Sequence, residues 1–171
     1  MASLRTSTRI NKGFTLLEIL VVLTLVTVIG GLSLFFGLDS YRSNAFYVDR
    51  GLLITALERA RAEAIGNICY GASCTDGKSH GVFVEKDGSG KVSAFVVFQG
   101  ASYHDTPEDA SFDERLETGS IIYHRGISTT IFQQLSGSVS PSMLGDMGLY
   151  DDVGHLSTTS IGTDGQVFWD H

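Results

Sequence analysis

From Ile19 to Leu38 the chain carries no charged side chain, and a helical run of that length reaches about 30 Å, the thickness of a bilayer's hydrocarbon core. The flanks of this run differ. Before it stand Arg5, Arg9 and Lys12 with no acid among residues 1–13, followed by one acid, Glu18, at the lip of the apolar stretch. After it, Asp39-Ser40-Tyr41-Arg42-Ser43-Asn44 is polar, and a helical period then resumes. Leu53, Leu57, Ala60, Ala64 and Ile68 recur at spacings of three and four, which places them on one face. Glu58, Arg59, Arg61 and Glu63 fall on the opposite face, with Glu58–Arg61 and Arg59–Glu63 at pairing distance. The pattern predicts an apolar helix over residues 14–38 and an amphipathic helix over 39–68 that packs on a domain. Gly30 and Gly31 are softening points in the apolar part, no proline interrupts either part, and Gly66 signals the end.

Beyond residue 68 the period changes from helical to alternating. His80–Lys86 and Lys91–Phe98 read as a hairpin around Asp87-Gly88-Ser89-Gly90, with Val82 and Val84 alternating with Phe83, and with Val92, Ala94, Val96 and Phe98 on one face. Gln99–Glu114 is acidic and reads as a solvated loop. Ile121-Ile122-Tyr123, Thr129–Phe132, Ser157–Ile161 and Gln166–Trp169 read as strands, and Ser136–Tyr150, rich in glycine and serine, reads as irregular. The expected fold class is α+β: a long N-terminal helix, membrane-spanning in its first half and amphipathic in its second, packed on an antiparallel β-sheet head over residues 69–171. Abundant glycine (20) and scarce proline (2) suit such a head.

Charge narrows the possible partners. The net charge is −7, and because residues 1–13 contribute three bases and no acid, the remainder carries −10, which disfavours nucleic acid. A basic start followed by an apolar run resembles a secretory signal, but this run is too long and no Ala-x-Ala site closes it. The basic bias keeps residues 1–12 in the cytoplasm and sends the chain beyond Leu38 across the membrane, with membrane lipid as the first partner. In that oxidising compartment a Cys69–Cys74 disulfide closing a small loop is expected, with free or singly paired thiols as the other arrangement. Two thiols do not make a structural zinc site, and their spacing is wider than a redox Cys-x-x-Cys. There is no Gly-x-Ser-x-Gly elbow; the five histidines lack metal-ligand spacing, and Asp87–Lys91 lacks the length of a phosphate loop. No cofactor, metal or catalytic residue is expected.

Gly13-Phe14-Thr15-Leu16-Leu17-Glu18, coming after the basic leader, resembles the prepilin processing motif of type IV pilins and type II secretion pseudopilins. The resemblance covers Lys12 to Leu38. It implies that residues 1–13 are a leader, that prepilin peptidase cuts between Gly13 and Phe14, and that the new N-terminus of Phe14 is methylated. Cleavage converts an uncharged amide into an α-amine, cationic at neutral pH, one helical turn from Glu18. In this family the acid meets the N-terminal amine of a neighbouring subunit, and a charge pair in lipid costs far less than a lone carboxylate. Ala56–Ile65, and the blocks Ile131–Gly137 and Ile161–Val167, resemble the H-type pseudopilins and FimT-like minor pilins. The implied partners are prepilin peptidase, other pilin or pseudopilin subunits and an inner-membrane assembly platform. The implied location is the inner membrane, then a secretion pseudopilus or a surface pilus. Major pseudopilins often hold calcium through a C-terminal loop; Asp146, Asp151 and Asp152 are the residues to compare, but the tryptophan-glycine signature is missing and no such site is expected. Two other classes stay in view: a membrane-tethered extracytoplasmic binding module that does not polymerise, and a membrane-anchored hydrolase.

Overall fold

The computed structural model describes residues 14–72, 74, 76–103 and 111–170, apart from the side chains of 34–36, 38 and 39. The expected leader with Gly13, and the acids Asp105, Glu108 and Asp109 of the polar loop, lie outside the described residues. One helix, α1 (Leu16–Ile65), is followed by β1 (His80–Lys86), β2 (Val92–Gln99), β3 (Glu114–Glu117), β4 (Tyr123–Gly126) and β5 (Thr129–Phe132). A 3-10 turn (Pro141–Met143) leads to β6 (Asp146–Tyr150), β7 (Leu156–Ile161) and β8 (Val167–Trp169). The chain divides into two compact units between Tyr41 and Arg42. The class is α+β with antiparallel sheets, and the strands form two sheets of four, ordered β3-β2-β1-β5 and β4-β6-β7-β8.

In the second unit the helical stripe is the core. Phe46, Leu53, Ala56, Leu57, Ala60 and Ala64 are buried against Val82, Val84, Phe95 and Val97 of the first sheet and Met147, Leu149 and Ile161 of the second. Alanines at 56, 60 and 64 let the sheets approach the helix closely, and each buried leucine contributes about 2 kcal/mol. Ile68 lies past the helix end and is exposed, so it leaves the stripe. Glu63, expected in solvent, is buried, because its position shares a turn with Ala60 and Ala64. The Arg59–Glu63 pair forms at 2.9 Å, whereas Arg61 turns from Glu58 and donates to the Asp164 carbonyl at 3.3 Å.

The helix ends at Ile65, just before Gly66 and short of the expected residue 68, and Asn67 rather than Gly66 makes the cap. Asn67, at φ 54°, takes the left-handed position; its N–H donates to Ala64 O (3.2 Å) and that of Ile68 to Glu63 O (3.0 Å), a Schellman end with asparagine in glycine's usual place. The Leu135 N–H reaches the Ala64 carbonyl at 2.9 Å, so the turn after β5 also satisfies the helix terminus.

The hairpin matches the expected strands within one residue, in the register Val82↔Val97 and Val84↔Phe95. Both faces of β2 are buried. Phe95 and Val97 face the helix, and Ala94, Val96 and Phe98 are buried on the other side, where Tyr103 stacks on Phe83 at 4.2 Å and packs edge-on to Phe98. A central strand covered on both sides loses its polar alternation. Ile121 and Ile122 lie before β4 rather than in a strand, one strand starts at the end of the expected loop and another falls within the stretch expected to be irregular. β3 (Glu-Arg-Leu-Glu) pairs with β2, and β6, inside the stretch read as irregular, buries Met147 and Leu149.

One polar residue interrupts the helical stripe. Asp49 is 1% exposed, and its carboxylate accepts the Gly119 N–H and Ser120 N–H, both at 2.9 Å, and the Ser120 hydroxyl. It pins the β3–β4 turn to α1. Asp49→Ala leaves these donors unpaired and is expected to cost about 2–3 kcal/mol. The check is a lower denaturation midpoint at unchanged slope, with Asp49→Asn losing less.

Candidate functional site

The sequence places its chemistry at the start of α1. Thr15 caps the helix: its hydroxyl accepts the Glu18 N–H at 3.2 Å, and its carbonyl accepts the N–H groups of Glu18 (3.1 Å) and Ile19 (3.2 Å). Thr-x-x-Glu has capping-box spacing, so Glu18 occupies the third helical position, where the helix dipole favours an anion. Among the described residues nothing bonds its carboxylate. Phe14, just ahead of the cap, is 79% exposed.

No residue of Leu16–Ser33 is buried within the protein, and this is the one described helix long and apolar enough to cross a membrane. Its polar atoms are internally satisfied. Thr24 donates to the Val21 carbonyl (2.8 Å), Thr27 to that of Thr24 (2.9 Å) and Ser33 to that of Ile29 (2.9 Å). Hydroxyls bonded to their own helix are compatible with lipid, whereas an apolar surface this large is not left to water. Glu18 is thus a charge without a partner among the described residues, at the start of a stretch whose hydroxyls are internally bonded.

Cys69 and Cys74 are joined in a disulfide, their Cα atoms 5.9 Å apart. Gln99 holds the loop by pairing with the Tyr70 backbone, accepting its N–H and donating to its carbonyl, both at 2.9 Å. The Tyr70 hydroxyl reaches Glu63 at 3.3 Å, and burial raises the pKa of that phenol. Beneath it His80 is 1% exposed, with Nδ1 3.1 Å from the Lys78 carbonyl and Nε2 3.6 Å from Glu63. Burial holds His80 below the usual imidazole pKa, against the opposing pull of Glu63. Arg59 bridges Glu63 and Glu114, which raises its own pKa. The motifs of the sequence do not disclose this cluster; its members come from α1, β1, β3 and the disulfide loop.

The three aspartates weighed for calcium are not gathered. Asp146 opens β6 and accepts the Ser160 hydroxyl at 2.7 Å; Asp151, past the other end of β6, holds its own loop and His155. No group of three potential ligands occurs among the described residues. Ser89 sits in the hairpin turn, where it donates to Asp87 at 2.7 Å. The two C-terminal glycine blocks do converge. Gly137 and Gly165 lie against each other: a Cβ on Gly165 would run into the Gly137 carbonyl oxygen and stand 3.1 Å from Arg61 Nε, so both blocks close on the end of α1.

Residues 8–34 match the prokaryotic N-terminal methylation motif. Comparison with curated proteins and with solved structures returned no match. The chain therefore carries the N-terminal signal of a type IV pilin-like or pseudopilin precursor, a class defined by processing by prepilin peptidase and assembly with other pilins.

Proposed function

We propose that the chain is a minor pilin or pseudopilin of the H-type or FimT-like kind, a structural subunit rather than an enzyme. The observation that carries this is Glu18, without a partner among the described residues, held at the third position of a Thr15-capped helix whose first apolar stretch, Leu16–Ser33, is uncovered. Prepilin peptidase removes residues 1–13, Phe14 becomes the methylated N-terminus, and its cationic amine is the partner Glu18 needs on an adjoining subunit. Before assembly the helix anchors the protein in the inner membrane with the head on the far side; on the assembly platform it joins the core of a filament. The disulfide suits an oxidising compartment for the head.

Co-expression with an active prepilin peptidase and mass analysis of the purified N-terminus tests this. The expected product starts at Phe14 and carries one added methyl group. A protein that keeps residues 1–13 under those conditions is a tethered binding module instead.

A further inference from the structure

We propose that the head carries a binding pocket for an organic carboxylate, framed by Arg125, Tyr150, Asp151, Gly154, His155 and Leu156, with the acid on Arg125 and its apolar body against Tyr150 and Leu156. The pocket has a volume of about 390 Å³. It does not depend on how the N-terminus is used.

Arg125 lies on the outward face of β4, directly opposite Gly148 of β6. Its side chain rests across that glycine, since a Cβ there would stand 2.8 Å from Arg125 Cγ and 2.9 Å from Nε. The strand is thus cut away beneath the guanidinium, which is exposed and forms no ion pair or hydrogen bond with any described residue. The acid within reach, Asp151, is already engaged. Its Oδ1 accepts the N–H groups of Val153 (3.1 Å), Gly154 (2.9 Å) and His155 (2.8 Å), and its Oδ2 lies 2.6 Å from His155 Nδ1. These donors turn both oxygens into the Asp151 loop and hold its pKa below the usual carboxylate range despite burial, so Asp151 stays an anion but is not a bonded partner of Arg125. Arg125 is left without a bonded counter-ion among the described residues, its guanidinium open to an added anion.

The walls are equally fixed. His155 stacks on Phe46, ring centres 5.4 Å apart, which holds the imidazole at one side of the pocket. Tyr150 is braced by Tyr123, stacked at 5.4 Å, and sits opposite Leu156 in the strand register; Tyr150 and Leu156 are 39% and 55% exposed. A planar guanidinium beside a firm apolar wall matches a carboxylate on an aromatic or aliphatic body. One cation on an acidic protein favours a monoanion over phosphate or a polyanion, which the rest of the surface repels. The acid has two sources, a free small molecule or an acidic side chain beside an apolar one on another polypeptide.

The test is side-chain 15N NMR of the full chain in detergent micelles, titrated to about 10 mM with 3-phenylpropionate and, separately, with its uncharged twin 3-phenylpropanamide. A saturable shift of the Arg125 Nε–H with the acid is expected. Binding about tenfold weaker is expected for the amide and for Arg125→Gln, the usual effect of losing one charge-assisted contact. Gly148→Ala keeps the charge but displaces the guanidinium, and it is expected to weaken binding too. A blocked Phe-Glu-Phe peptide separates the sources: tighter binding than the free acid assigns the pocket to a partner polypeptide, weaker binding to a small molecule. Equal binding of acid and amide, wild-type affinity in Arg125→Gln, or the absence of a saturable shift overturns the proposal.

Discussion

Replacing Glu18 with valine is expected to leave cleavage after Gly13 intact while cutting incorporation into filaments by at least about tenfold, the equivalent of losing one charge pair of 1.4 kcal/mol or more. Processing survives because nothing else in the motif changes and the Thr15 cap still accepts the residue-18 N–H through its own hydroxyl. Assembly fails because the amine of a neighbouring Phe14 then enters the apolar layer without a counter-charge. Glu18→Gln separates charge from shape, since it keeps the Thr-x-x-Gln capping spacing and removes only the anion. Both variants should accumulate as processed, membrane-bound monomers, scored by N-terminal mass and by the sheared filament fraction. Wild-type incorporation of Glu18→Gln would falsify the charge-pair account and leave Glu18 a helix cap.

Acid is expected to destabilise the head by about 3 kcal/mol between pH 7 and pH 4 through His124 alone. This residue is 7% exposed on the inward side of β4, and burial, with some help from Lys86 and against the opposing pull of the Ile127 backbone, lowers its pKa from 6.5 to about 4. The folded protein therefore refuses a proton that the unfolded chain accepts below pH 6.5. Stability is complete above that value and is lost as pH falls towards the folded pKa. His80, also lowered by burial, acts in the same direction. Denaturation of the wild type and His124→Phe from pH 7.5 to pH 4 checks this. The variant should show the shallower decline, whatever its stability at neutral pH, and identical slopes would remove His124 from the account.

The parts of the fold legible in the sequence are those governed by local periodicity. The stripe Leu53–Leu57–Ala60–Ala64 and the β1–β2 hairpin could be read because each residue's burial depends on its neighbours at fixed spacing. Phe46 and Asp49 continue the same stripe, and an acid within an apolar period was a signal there to be used. β3 could not be read, since Glu-Arg-Leu-Glu has a solvated pattern and becomes a strand only by pairing with the edge of β2. β6 was hidden for the opposite reason. Its glycine, which weakens any strand reading, is the place where Arg125 crosses the sheet.

By itself the sequence determined that a charge-free run comes after a basic leader, that one acid stands at its lip, and that the N-terminal motif and an α+β head go together. These are one-dimensional facts, since spacing along a helix and charge along a chain need no partner to have meaning. Only the tertiary structure decided that the strands split into two sheets, that Glu63 faces His80, and that Asp151 is bonded within its own loop while Arg125 has no bonded partner among the described residues. Each of those depends on which distant segments share a surface. Burial and unmatched charge are properties of that neighbourhood, and no local pattern encodes it.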